Sequence, residues 1–178
     1  MTRIDRRYLW ALNALGLRLR GVRMGFPCYI GPTLFLYNRR QIRLGKRVRI
    51  WPGLRLEVHK GATVTIEDGV ALGPFCHITA AEDMTIGADS AFGGWNTISN
   101  VVHTLEEPER HPFDRPWEIK SVTLGKRLYV GQGAKILPGS SLGDQCAVGA
   151  NAVVSGLEAP ANAIITGIPA RVQRIAEP

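Results

Sequence analysis

The stretch LGKRLY-VGQGAK-ILPGSS-LGDQCA-VGANAV, residues 124–153, returns an apolar residue at every sixth position, and Val154 continues the series. The series is Leu124, Val130, Ile136, Leu142, Val148 and Val154, and glycine follows four of its members, at Gly125, Gly131, Gly143 and Gly149. A helix would return at three and four, and a strand alternates in twos. A beat of six predicts instead a short strand, then a turn, repeated. Glycine after the aliphatic leaves a position without a β-carbon, where the chain can bend or pack closely.

The same phase runs upstream through Leu44, Ile50 and Leu56, then Ile66, Leu72 and Ile78, then Ile86, Phe92 and Ile98. A second small or apolar residue often stands four places after the first, as at Val48, Leu54, Val70, Cys76, Leu128, Ala134, Cys146 and Ala152. Three units make a coil, and coils stack at the strand spacing of about 4.8 Å, so that aliphatics of successive coils form internal ladders. The periodicity gives five coils, at 44–61, 66–83, 86–103, 124–141 and 142–159, with insertions at 62–65 and 84–85 and a long one at 104–123. The fold class expected is mainly β, a parallel β-helix with a short N-terminal helix and a C-terminal cap.

A single domain spans 1–178: a helical cap over 1–26, the β-helix over 30–159 with its loop at 104–123, and a terminal cap over 160–178. Residues 4–22 read as a helix whose stripe is Ile4, Tyr8, Leu12, Leu15 and Leu19, with Arg3, Arg6, Arg7, Arg18 and Arg20 around it. The stripe is expected to cover the open edge of the first coil, as a solenoid requires. The other reading is a basic helix making peripheral membrane contact and reaching lipid-linked acceptors. The segment 104–123 lacks the six-residue beat and carries Phe113 and Trp117 among prolines and charges. It is expected to be a loop reaching over a binding cleft.

The net charge of +7 favours an anionic partner, but no helix-turn-helix spacing, zinc-finger pair or RNP-type aromatic set supports nucleic acid. No apolar run approaches the ~20 residues of a membrane helix, and no cleavable leader is read at the N-terminus. Cys28, Cys76 and Cys146 are widely spaced and suit small core positions in a reducing cytoplasm. A cytoplasmic location is expected, with or without association to a membrane surface.

Three further stretches carry a family resemblance: Thr-Ile-Ser-Asn-Val-Val-His at 97–103, Leu-Tyr-Val-Gly-Gln-Gly-Ala-Lys-Ile-Leu-Pro-Gly at 128–139, and Ala-Ile-Ile-Thr-Gly-Ile-Pro-Ala-Arg-Val at 163–172. Over about 44–175 the chain resembles the hexapeptide-repeat acyltransferases, most of all the polysaccharide and sugar O-acetyltransferases. The resemblance implies a left-handed β-helix, against the general preference for right-handed crossovers. It also implies a homotrimer with sites in clefts between neighbouring prisms, acetyl-CoA as donor, no metal, and a sugar or glycan acceptor in exopolysaccharide, capsule or lipopolysaccharide synthesis.

Acyl transfer to a hydroxyl needs a base for the acceptor proton and donors for the tetrahedral oxyanion. His103 matches the family's catalytic histidine, and imidazole titrates in the useful range. Asp83, at the same phase one coil earlier, is a candidate partner for its ring, with Glu82, Glu106 or a backbone carbonyl as alternatives. By motif, the resemblance assigns Gln132, Gly133, Ala150 and Ser155 to the pantetheine arm of CoA and Arg171 and Arg174 to its phosphates, which guanidinium groups suit. Trp95, Phe113 and Trp117 are the candidate sugar-facing aromatics.

The chain departs from the small-sugar enzymes in lacking an Asn in Leu-Gly-Pro-Phe-Cys-His at 72–77, and it reads Val102-His103-Thr104 in place of Asn-His-Pro. Free galactoside or maltose is therefore not the expected acceptor. A γ-class carbonic anhydrase would need three convergent imidazoles, whereas His59, His77, His103 and His111 are scattered. Remaining alternatives are a non-catalytic or glycan-binding solenoid, which would need neither His103 nor the CoA-end motif, and an N-acyltransferase acting on an amino sugar.

Overall fold

The computed structural model describes residues 6–177. It is a three-faced parallel β-solenoid with one N-terminal helix, consistent with a left-handed β-helix. Among the described residues the first face has seven strands, the second eight and the third six, and short turns carry the chain from face to face.

The six-residue beat becomes three internal ladders. Leu44, Ile66, Ile86, Leu124, Leu142 and Ala159 stack in register on the first face. Ile30, Ile50, Leu72, Phe92, Val130, Val148 and Ile165 do so on the second. Leu36, Leu56, Ile78, Ile98, Ile136 and Val154 do so on the third. All these rungs are buried except Leu36, which packs partly buried against the same core. Burying a Leu, Ile or Val side chain contributes roughly 1.5–3 kcal/mol, so the ladders hold the stack. The residues four places on, including Val48, Val70, Leu128 and Cys146, fill the corners and are equally buried.

The stack begins a turn earlier than the beat from Leu44 indicated. Arg23–Met24, Tyr29–Ile30 and Phe35–Tyr37 form a first coil paired in parallel with the next. Six coils therefore carry strands on all three faces, and Glu158–Ala159 and Ala163–Gly167 start a seventh. The C-terminal end closes as a hairpin, Ala163–Gly167 antiparallel to Ala170–Ile175.

The N-terminal helix α1 runs Arg6–Leu19. Ile4 and Arg3 lie outside the described residues. The helix covers the first coil, but not with the expected stripe. Ala14 and Leu17 are buried, Trp10 sits edge-on to Trp51 at 6.1 Å, and Asn13 Nδ2 donates to the carbonyls of Ile30 and Gly31, both at 3.0 Å. Tyr8, Leu12, Leu15 and Leu19 point the other way, into solvent. The first coil presents the carbonyls of Ile30 and Gly31 and the second coil the Trp51 ring, and Asn13 and Trp10 answer them. Local chemistry at the interface outweighed the larger apolar stripe.

Candidate active site

The interruption after the fourth coil is a hairpin arm, not a structureless loop. Val101–His103 pairs antiparallel with Trp117–Ile119, in the register Val101↔Ile119, Val102↔Glu118 and His103↔Trp117. A short 3-10 turn at Pro112–Asp114 lies near its tip. Asn100 anchors the base and is fully buried. Its Oδ1 accepts the Ala81 amide at 2.8 Å, its Nδ2 donates to the Glu82 carbonyl at 3.1 Å, and its own carbonyl accepts the Lys120 amide at 3.0 Å. The Ser99 hydroxyl accepts the Val101 amide at 3.2 Å and turns the chain outward.

His103 is half-buried on this arm, and its Nδ1 lies 3.1 Å from the Arg115 carbonyl oxygen. A carbonyl only accepts, so the neutral ring donates from Nδ1 and keeps the lone pair on Nε2. The Phe113 and Trp117 rings stand edge-on to the imidazole, each at 6.0 Å. Trp117 in turn meets His59 at 4.5 Å, which lays the arm back against the corner of an earlier coil.

Asp83 is not the partner of this ring. Its Oδ1 accepts the Thr63 amide at 2.7 Å, as a turn acid does. Counting along the chain sets 83 under 103, but the chain leaves the stack at Asn100, so His103 is carried away from that column. Among the alternatives, the structure selects a backbone carbonyl. Glu82 Oε1 and the Thr104 hydroxyl, close to the arm's base, are buried without a hydrogen-bond partner among the described residues. Buried polar atoms are ordinarily paired, and these two are exceptions.

Of the three aromatics read as sugar-facing, Phe113 and Trp117 come together at His103. Trp95 does not: it stacks on Phe75 at 4.4 Å on the corner between second and third faces, at the other end of the Thr97–Ser99 strand. Gln132, Gly133 and Ala150 continue that corner one and two coils on. Gly133 sits at φ 74° with its amide donating to the Gly94 carbonyl at 2.9 Å, and the Asn151 amide donates to the Gln132 carbonyl at 2.9 Å. Ser155 is exposed on the opposite edge of the third face, on the arm's side. Arg171 and Arg174 are exposed on the last strand of the second face. One chain thus brings together the histidine and two rings on one corner and the small residues on another, with the third face between them.

Sequence reasoning passed over Asn100, whose signal was an amide side chain where a rung ends and the beat stops. It also passed over a polar network on the outward side of the third face. His77 Nε2 lies 3.3 Å from Glu57 Oε1 and 3.1 Å from the Thr79 hydroxyl, and Arg55 also pairs with Glu57. Burial acts to raise the Glu57 carboxyl, but Arg55 and His77 outweigh it and hold it below the usual carboxylate range. Among the described residues no group of three or more His, Cys, Asp and Glu is placed to hold a metal ion.

No family model matches the chain. The chain is 31% identical over 154 residues to a putative lipopolysaccharide biosynthesis O-acetyl transferase, WbbJ, of Escherichia coli (strain K12), covering 83% of this chain and 75% of the relative. It is 24% identical over 153 residues to galactoside O-acetyltransferase of the same organism, covering 85% of this chain and 62% of that one. Among solved structures it resembles AntD, an N-acyltransferase from Bacillus cereus in complex with dTDP and 3-hydroxybutyryl-CoA, with a TM-score of 0.75, 19% identity, and coverage of 92% and 88%. That last likeness is one of fold.

Proposed function

The chain belongs to the hexapeptide-repeat acyltransferases, and from that premise we propose that it moves an acetyl group from acetyl-CoA to a sugar hydroxyl in exopolysaccharide, capsule or lipopolysaccharide synthesis, with His103 as the general base. The observation that carries the reading is the His103–Arg115 contact, which ties down Nδ1 and leaves Nε2 facing away as an acceptor. The 31% identity to a lipopolysaccharide-pathway O-acetyl transferase supports the acceptor class.

His103 Nε2 takes the acceptor hydroxyl proton as that oxygen attacks the thioester carbonyl, and the imidazolium returns the proton to the departing thiolate. The donor supplies the activated acyl group. The residues suit such a molecule: the corner carrying Gln132, Gly133 and Ala150 offers backbone groups to the pantetheine amides, and Arg171 and Arg174 offer guanidinium donors to phosphates. These groups and His103 lie on different corners of one chain, which supports a site completed by a second copy in a homotrimer. Phe113 and Trp117 beside the imidazole offer ring faces and edges to a sugar. Free buried thiols at Cys28, Cys76 and Cys146 fit a reducing cytoplasm.

A second reading, transfer to the amine of a nucleotide-linked amino sugar, is favoured by the fold shared with AntD. The test is thiol release from acetyl-CoA against oligosaccharides, lipid-linked glycans and nucleotide amino sugars. Turnover with a hydroxyl acceptor and none with the amines supports O-acetylation, the reverse supports the second reading, and no release with any acceptor or water counts against both. Arg171→Ala should weaken acetyl-CoA binding, and unchanged affinity would remove Arg171 from the donor site.

A further inference from the structure

Helix α1 uses one face to close the solenoid and leaves the opposite face bare. Tyr8, Leu12, Leu15 and Leu19 are 72, 64, 54 and 81% exposed, while Ala14 and Leu17 are buried. At 3.6 residues per turn the two sets stand on opposite sides of the helix. Because α1 lies over the first coil, the bare stripe faces away from the stack. Phe26, 76% exposed, extends it across a groove of about 330 Å³ whose walls include Tyr8, Leu12, Leu15, Arg18 and Met24. A contiguous exposed apolar patch of this kind marks a surface that meets something apolar.

The charge around the stripe identifies the partner. Residues 6–56 contain twelve Lys and Arg and no Asp or Glu, whereas residues 57–178 contain nine against fourteen. The helical end of the molecule is cationic and the remainder is net acidic. Beside the end of α1, Arg20, Arg39, Arg40 and Lys60 line an open cleft of about 450 Å³, with no acidic side chain among its walls. A second copy meeting this end face to face would set these cations against their equivalents, so charge opposes that pairing. An anionic bilayer meets both demands, with acyl chains for the stripe and headgroup phosphates for the guanidinium groups.

We propose that this end of the protein docks on an anionic phospholipid surface, with α1 lying in the plane of the interface, Tyr8, Leu12, Leu15, Leu19 and Phe26 entering the headgroup–acyl boundary, and the Arg20–Arg39–Arg40–Lys60 cleft taking lipid phosphates. The proposal does not rest on the acyl-transfer reading. No helix among the described residues is long and apolar enough to cross a membrane.

The test is flotation of the full chain with vesicles of pure phosphatidylcholine and with vesicles carrying phosphatidylglycerol, alongside sedimentation of the protein alone. The expected result is at least ~10-fold greater partition onto the anionic vesicles, weakened by salt and by Arg39→Ala/Arg40→Ala, and lost in Leu12→Glu/Leu15→Glu. The last variant should melt at the wild-type temperature, because both positions are exposed. Equal partition onto both vesicle types, partition onto neither, or full binding by Leu12→Glu/Leu15→Glu overturns the proposal. Self-association abolished by the same variant, without vesicle binding, gives the face to a second copy and overturns it equally.

Discussion

His103 Nδ1 lies 3.1 Å from the carbonyl oxygen of Arg115, across a hairpin whose two strands pair His103 directly with Trp117. The contact makes the backbone of the arm, rather than a carboxylate, the group that fixes the imidazole tautomer. The neutral ring should therefore carry its proton on Nδ1. Nitrogen-15 chemical shifts of labelled His103 above its titration range check this, and a ring protonated on Nε2 would contradict it.

Asn100 is the fastener of that arm, holding Ala81, Glu82 and Lys120 at once. Asn100→Ala leaves a backbone donor and a backbone acceptor without their partner, at a cost of roughly 1–3 kcal/mol. Thermal unfolding should show the loss, and acyl transfer should fall with it because the hairpin loses its base. A variant with the wild-type melting temperature and turnover would show that the arm is held by other contacts.

The solenoid was legible because burial imposes a strict period on it. Ile66, Leu72 and Ile78 supply one rung to each of the three ladders, and their six-residue spacing shows in the chain. The first coil was left out of the coil count because its own beat at Met24, Ile30 and Leu36 breaks by two residues before Leu44. The arm was misread because its pairing is local and outward: Val102, Trp117 and Ile119 are exposed, so no buried face imposed an alternation. The helix stripe was misplaced because the cap is chosen by polar and aromatic fit, Asn13 to Ile30 and Trp10 to Trp51, rather than by apolar area. His103 was singled out by its position before the interruption, whereas the group its ring meets, a carbonyl, has no side-chain signature at all.

Gly87 packs directly under the next coil, where an added β-carbon would overlap the Gly125 carbonyl. Gly87→Ala should destabilise the protein by roughly 1–3 kcal/mol through overpacking against backbone that cannot yield. Denaturant unfolding checks this, and an unchanged midpoint would mean that the coils can move apart at this corner without loss.

Burial pushes the Cys76 thiol up from its ordinary 9.0 to about 11. Iodoacetamide at neutral pH should leave Cys28, Cys76 and Cys146 unlabelled in the native protein and modify all three on unfolding, because the reactive species is the thiolate. The raised value favours the protonated thiol in the fold. Its contribution to stability is therefore complete below pH 9.0 and is lost as the pH rises towards about 11. Cys76→Val should shrink that alkaline loss, and stoichiometric labelling of the folded protein would contradict the buried placement.

The measurement that bears most directly on the proposed chemistry is the steady-state rate of thiol release by His103→Ala, with the acceptor that supports wild-type turnover. The expected result is a fall of at least ~100-fold in kcat, with acetyl-CoA affinity, oligomeric state and melting temperature near those of the wild type. A variant that turns over at the wild-type rate would contradict it, and the arm would then position substrates without supplying the base.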